Sequence, residues 1–159
     1  MASHENIIFS DETSEKIVRK IREGDYIPIL QQLFRQEEST LVIDYLYFKH
    51  IAGQTTYSII TDLLIQIVDS IVKRYNTFYV YVNMRSCSLS DVDKHKAYMT
   101  SLVQTLRDKY TDKLELCYIT NASFVFTSLY NFLCLIIDKK TQQKIQLVNG
   151  SGKAIKTAF

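Results

Sequence analysis

The sequence predicts a single α/β domain: a mainly parallel sheet of about four to five strands with helices packed on its faces. Three observations carry this reading. The apolar period changes along the chain. Ile60, Leu63, Leu64, Ile67, Val68 and Ile71 recur at three- and four-residue steps, whereas Phe78, Val80, Val82 and Met84 alternate with Tyr79, Tyr81 and Asn83. Helical and strand-like segments then follow one another as α, β, α, β, α, β, α, β, the pattern of crossover units. Finally, 47% of the 159 residues are hydrophobic, with one proline and four glycines and no linker-like stretch, which suits one core.

Each element has its own local reason. Ser10-Asp11-Glu12-Thr13 opens an amphipathic helix over 10–23, acidic at its start, basic at its end and closed by Gly24. Pro28 suits the first turn of a second helix over 27–36. Leu41–Phe48, rich in β-branched and aromatic residues, reads as a strand, and Gly53 lies in the loop after it. A long helix over 56–74 and a strand over Phe78–Met84 follow. Ser90-Asp91-Val92-Asp93 resembles a capping box ahead of a helix to Tyr110, with Met99, Leu102, Val103 and Leu106 on its buried face. Leu114–Thr120 is a strand, 123–137 a helix and Lys144–Val148 a last strand. The residues after Asn149 are flexible in composition. This divides the chain into an N-terminal helical segment (1–40), the main domain (41–150) and a tail (151–159).

The composition excludes several functions. Nineteen basic against 17 acidic residues leave a net charge of +2, no global field for a nucleic acid. Neither GxGxxG nor GxxxxGK[ST] is present, so no nucleotide cofactor is implied. His4, His50 and His95 are scattered without ligand spacing. Cys87, Cys117 and Cys134 form no CxxC pair and sit in apolar settings, as buried thiols do. GxSxG is absent, and Asp44 and Glu115 read as surface or hydrogen-bonded acids, so no catalytic residue emerges. The N-terminus lacks a signal-peptide pattern, and no apolar run reaches the ~18 residues of a membrane span. The expected setting is cytoplasmic, with peripheral membrane contact.

The unusual segment follows Asn121. Phe124, Val125, Phe126, Leu129, Tyr130, Phe132, Leu133, Leu135, Ile136 and Ile137 cover almost the whole circumference of one helix. Such a helix is either buried on every side or meets something apolar beyond its own core. In a small domain, which leaves much of its surface exposed, full burial is difficult.

From Tyr79 to Val148 the order of landmarks resembles the CRAL-TRIO lipid-binding domain. A strand ends in Val82-Asn83-Met84-Arg85, and a helix ends in Leu106-Arg107-Asp108-Lys109-Tyr110. The strand Leu114–Ile119 leads to Thr120-Asn121-Ala122-Ser123 and the aromatic helix, and Lys139-Lys140-Thr141-Gln142-Gln143-Lys144-Ile145 follows. Weaker similarity runs back to the strand at 41–48.

The resemblance implies a sheet floor covered by helices on one side, with a hydrophobic pocket on the other and the helix at 123–137 as its mobile gate. Either Phe78, Val80 and Val82 or the alternate set Tyr79 and Tyr81 would line it, with Tyr118, Phe124, Phe126, Leu129, Tyr130 and Leu133. In phosphatidylinositol-transferring members an acid and a lysine contact the headgroup. They match Asp112 and Lys144 here, and a lysine–phosphate contact is a charge-assisted hydrogen bond. The sequence departs from the family pattern at Ser123, where proline is usual, and at Tyr110-Thr111-Asp112, where Tyr-Pro-Glu is usual. The hydroxyl residues that hold a choline lipid correspond to Phe78 and Val80, which cannot do so. The implied function is non-catalytic binding of a hydrophobic ligand, a phospholipid, with transient contact to a membrane surface. The competing reading is a protein-interaction module or homodimer that keeps the fold and fills its pocket with its own rings, since Tyr (11) and Phe (8) are abundant.

Overall fold

In the computed structural model residues 7–122 and 125–148 are described, together with the backbone of 154–157. The first helix, α1 (Ser14–Arg22), shows how closely local chemistry sets boundaries. Thr13 accepts the Lys16 N–H at its start. At its end Gly24, at φ +75°, lets Asp25 N–H reach Lys20 O at 2.8 Å and Gly24 N–H reach Ile21 O at 3.0 Å. Helix α2 (Tyr26–Leu33) follows and runs directly into β1 (Phe34–Glu37), which turns back through Glu38 and Ser39 onto β2 (Thr40–Asp44). The short β1 is absent from the sequence reading because Phe34-Arg35-Gln36-Glu37 has one apolar residue and no alternation to betray it.

The segment expected to be one strand over 41–48 is in fact two elements. β2 stops at Asp44, whose Oδ1 accepts the Leu46 N–H at 3.3 Å and starts helix α3 (Tyr45–Ile51). Tyr45, Leu46, Tyr47, Phe48 and Ile51 are all buried. A run buried on every side has no period, so sequence alone cannot tell its helix from a strand.

Beyond it the sequence reading and the structure agree closely in element type. Helix α4 (Tyr57–Tyr75) precedes β3 (Phe78–Asn83), and β4 (Leu114–Thr120) precedes the apolar helix α7 (Phe126–Ile136). The long helix expected from Ser90 is broken in two, α5 (Leu89–Lys94) and α6 (Lys96–Lys109). Its capping box uses Ser88 with Asp91 rather than Ser90 with Asp93, and His95 is the break, its Nδ1 held 2.7 Å from the Tyr57 hydroxyl. The short α8 (Lys139–Gln142), capped by Asp138, leads into β5 (Ile145–Val148). In the tail expected to be flexible, β6 (Ala154–Thr157) pairs antiparallel with β5, whose outer edge offers free backbone groups.

The six strands lie side by side in sequence order. β2 to β5 are parallel, and β1 and β6 are antiparallel edges. Stepping always in one direction with right-handed crossovers puts every crossover helix on the same face of the sheet. The registers Leu41↔Val80, Val80↔Cys117 and Cys117↔Ile145 align one row, and Ile43↔Val82 and Val82↔Ile119 the next, on the face that α4, α6 and α7 cover. Val42, Tyr81 and Tyr118 align on the opposite face, where Phe9 lies 5.6 Å from the Tyr81 ring and Arg35 sits over Phe9. The main core joins Ile17, Ile29, Leu33 and Tyr47 to Ile60, Val68 and Ile71 of α4, all within 1% of full burial.

Candidate functional site

A cavity of about 380 Å³ lies between the sheet and its helices. Its floor is the aliphatic row of the parallel strands, Val80, Val82, Cys117, Ile119 and Ile145. Its walls are Ile60, Leu64 and Val68 of α4 and Met99, Leu102, Val103 and Leu106 of α6, and its roof is Leu129, Phe132, Leu133 and Ile136 of α7. The resemblance placed the pocket on the face away from the helices. It lies instead on the helical face, because the one-directional winding puts every crossover on that side.

The floor decides between the two strand faces that periodicity left open. Val80 and Val82, with Phe78, border the cavity, whereas Tyr79, Tyr81 and Tyr118 point to the other side of the sheet. There Tyr81 and Tyr118 are buried, 6.2 Å apart, beneath Ile7 and Phe9. The three tyrosines are therefore core of the back face and not lining. Leu129 and Leu133 line the cavity. Phe126 and Tyr130 stand outside its lining, one turn apart on α7 with ring centroids 5.9 Å apart. Phe124 lies outside the described residues, as does Ser123.

The roof is unlike the walls. Helix α7 packs chiefly on α5 and α6. Only Phe132 of its eleven residues is buried, and Leu135 is 85% exposed. Its apolar surface is thus divided between the cavity and the outside, and no charged residue separates the two.

The two ends of the cavity differ. Asp112 precedes β4, Leu114 opens it and Lys144 precedes β5, so they mark the N-terminal edge of the parallel strands, together with Arg107 and Lys140. The Asp112 and Lys140 side chains are 64% and 68% exposed, which makes this end the mouth. Lys140 Nζ pairs with Asp112 Oδ1 at 2.6 Å and holds that carboxyl below the usual carboxylate range. Lys144 Nζ donates to Leu114 O at 2.6 Å. The sequence-chosen pair, Asp112 and Lys144, therefore shares the mouth with each side chain bonded elsewhere, Asp112 to Lys140 and Lys144 to the Leu114 carbonyl.

At the opposite end, beyond the carboxyl termini of β2 and β3, the lining includes Tyr45, Cys87, Asp91, His95 and Tyr98. None of these was singled out as a site residue. Tyr45 hid in an apolar run, Asp91 in a cap and His95 among unclustered histidines. Tyr98 stacks on Tyr57 at 4.1 Å and shares a hydrogen bond with Thr61 at 2.8 Å, which fixes α6 on α4. Burial, with Lys94 next to it in sequence, holds the His95 imidazole below its usual pKa, against an opposing pull from Asp91. Burial pushes the Cys87 thiol up to about 11 and Cys117 up to about 12, so both stay protonated at neutral pH.

Among the described residues no cluster of three or more His, Cys, Asp and Glu is placed to hold a metal ion, and no helix is long and apolar enough to cross a membrane. A family model, the CRAL/TRIO domain, matches residues 54–158. The matched stretch begins just ahead of α4 and takes in the walls, the roof and the mouth, leaving β1, β2 and α1–α3 outside it. No curated protein matches the chain.

Proposed function

The chain belongs to the CRAL/TRIO domain family, whose members are modules that bind lipids and other small hydrophobic molecules, and from that premise we propose that it holds one apolar chain in the cavity under α7. The observation that carries this reading is the cavity itself: apolar on floor, walls and roof, and closed by a helix that leaves Leu135 exposed on its outer side beside Thr127 and Asn131. An apolar cavity of ~150 Å³ takes up a benzene. By that measure 380 Å³ has room for roughly fifteen carbons, which is one acyl chain and not two. At ~0.8 kcal/mol per methylene the gross gain is about 12 kcal/mol, from which association and ordering costs are subtracted.

In this reading α7 is the gate. It packs chiefly on α5 and α6 and reaches the sheet only through side chains such as Leu133, so it can swing without unpairing a strand. Opening presents Leu129, Leu133 and Leu135 to a bilayer, where a ligand tail exchanges for membrane tails at little net hydrophobic cost. A phospholipid would lodge one chain in the closed cavity and the other beneath the displaced helix. Its phosphate would lie at the mouth, where Lys140 and Lys144 hold ammonium groups and Arg107 a guanidinium. The protein is read as a non-catalytic carrier that visits membranes peripherally. The competing picture of a pocket filled by its own rings has less support, since Tyr79, Tyr81 and Tyr118 occupy the back of the sheet.

Native mass spectrometry of the purified chain after exposure to mixed liposomes, followed by extraction and lipid identification, tests the proposal. A stoichiometric adduct of lipid mass supports it. A bare monomer overturns it, and a dimer that takes up no lipid moves α7 into a subunit interface.

A further inference from the structure

We propose that the end of the sheet where β3, β4 and β5 begin is a docking surface for an anionic bilayer, a basic stripe that sets the mouth of the cavity against the membrane. This rests on the reading that the cavity holds an apolar ligand. It adds which side of the molecule meets the membrane and what charge that membrane carries.

Neighbouring parallel strands start at one edge, so the segments that lead into them lie side by side there. Three do so: 73–76 at the end of α4, 107–113 at the end of α6, and 138–144 around α8. Two contacts join them into one surface. Lys113 Nζ donates to Asn76 Oδ1 at 2.8 Å, and Lys140 Nζ donates to Asp112 Oδ1 at 2.6 Å. The segments carry eight cations against three carboxylates, a surplus of five in a chain whose net charge is +2. Lys73 and Arg74 lie in the first, Arg107, Lys109 and Lys113 in the second, and Lys139, Lys140 and Lys144 in the third. Of these eight only Lys140 is in an ion pair among the described residues. Glu37 and Glu38, at the turn from β1 to β2, bound the stripe on one side. At the opposite end of the strands Arg85, Lys49 and Lys96 each face a carboxylate.

Cations at the carboxyl ends of α4 and α6 also offset the helix dipoles, but each dipole amounts to only about half a charge. Two cations in the last turn of each helix exceed it, so a positive field remains. Apolar groups stand in the same stripe. Tyr75 is exposed, with the Arg74 guanidinium 5.4 Å from its ring centre, and the exposed Leu135 stands in the last turn of α7, just ahead of Asp138 and Lys139. Basic side chains among an exposed tyrosine and leucine suit the headgroup layer of a bilayer, where charge meets phosphate and apolar groups meet the first methylenes. A nucleic acid would use the charge and leave Leu135 in water. The mouth of an apolar cavity in the middle of the stripe completes the argument, because a lipid can then pass between cavity and membrane without crossing open solvent.

The test is co-sedimentation of the full chain with phosphatidylcholine vesicles, with and without phosphatidylserine. The wild type should bind those that contain phosphatidylserine, and more weakly as salt rises. Lys73→Gln with Lys109→Gln and Lys139→Gln takes one exposed cation from each segment and none from the cavity lining. Binding should fall about a hundredfold, roughly fivefold per charge. The matched triple on α1, Lys16→Gln with Arg19→Gln and Arg22→Gln, removes the same charge away from the stripe and should bind nearly as the wild type does. Should the stripe triple not fold, Lys139→Gln alone decides, with a loss of about fivefold expected. Equal binding to both vesicle types, an equal loss in both triples, or tighter binding to single-stranded DNA than to the anionic vesicles overturns the proposal. The cavity is read separately, by native mass spectrometry with a monomeric short-chain phospholipid that needs no bilayer. An adduct without vesicle binding strikes the stripe and leaves the cavity reading standing. Vesicle binding without an adduct does the reverse.

Discussion

Arg85 grips Asp44 with two hydrogen bonds, Nε to Oδ1 at 3.2 Å and Nη2 to Oδ2 at 2.7 Å, and so ties the end of β3 to the residue that caps α3. The Asp44 side chain is 3% exposed and that of Arg85 24%. Ser10 stands 3.4 Å from the same guanidinium, and Glu12 accepts from Tyr47 of α3 at 2.8 Å, so the N-terminal segment is anchored to this corner. The corner also holds Tyr45, the residue next to Asp44, which borders the cavity.

Replacing Arg85 with Met leaves the Asp44 carboxylate buried and unpaired. We expect a loss of about 3 kcal/mol in chemical denaturation, as for other broken buried pairs. Asp44→Asn combined with Arg85→Met should recover part of that loss. Strict additivity of the two single changes would refute the coupling.

Leu133→Asp places a charge on the roof of the cavity. Because Leu133 is half-buried and α7 packs mainly on helices, the variant should remain folded by far-ultraviolet circular dichroism while lipid transfer between liposomes falls at least tenfold. An unfolded variant would make α7 ordinary core. A folded one with unchanged transfer would remove the gate.

Lys140→Gln with Lys144→Gln should leave the melting temperature almost unchanged, since the Asp112–Lys140 pair is an exposed surface contact. Binding to vesicles that contain phosphatidylinositol phosphate should drop by about fivefold for each lysine that faces the headgroup. Unaltered binding in a flotation assay would place the headgroup elsewhere.

The pH dependence of stability has a definite sign at His95. Its folded-state pKa is depressed by burial, so between the folded and unfolded values the unfolded chain binds the extra proton. The stability due to neutral His95 is complete above its unfolded pKa of ~6.5 and is lost as pH falls through the depressed folded value. Thermal melts should therefore shift downward from pH 7.5 to 5. His95→Gln should flatten that slope, and the remainder should belong to His50, which is depressed the same way. An identical slope in the variant would assign the effect to other groups.

The elements with one wet and one dry side were legible in the residues themselves. Helix α4 and strands β3 and β4 fall where the period of their apolar residues puts them, because a half-buried element must repeat at its own geometry. The family signal was legible for the same reason, since its landmarks sit at the ends of those elements. Where burial is two-sided, the period disappears, and Leu41–Phe48 reads as one strand although Asp44 turns it into a helix halfway. Tyr79, Tyr81 and Tyr118 alternate faultlessly with Val80, Val82 and Cys117. Alternation separates the two faces of a sheet but does not say which of them a helix will cover. That choice belongs to the handedness of the crossovers, which is a property of the assembled chain. The sequence by itself determined the class of fold, the apolar helix and the family. Only the tertiary structure decided which strand face lines the cavity, that Asp112 and Lys144 share its mouth with Lys140, and that Tyr45, Asp91 and His95 border its other end, because each depends on residues brought together from distant elements.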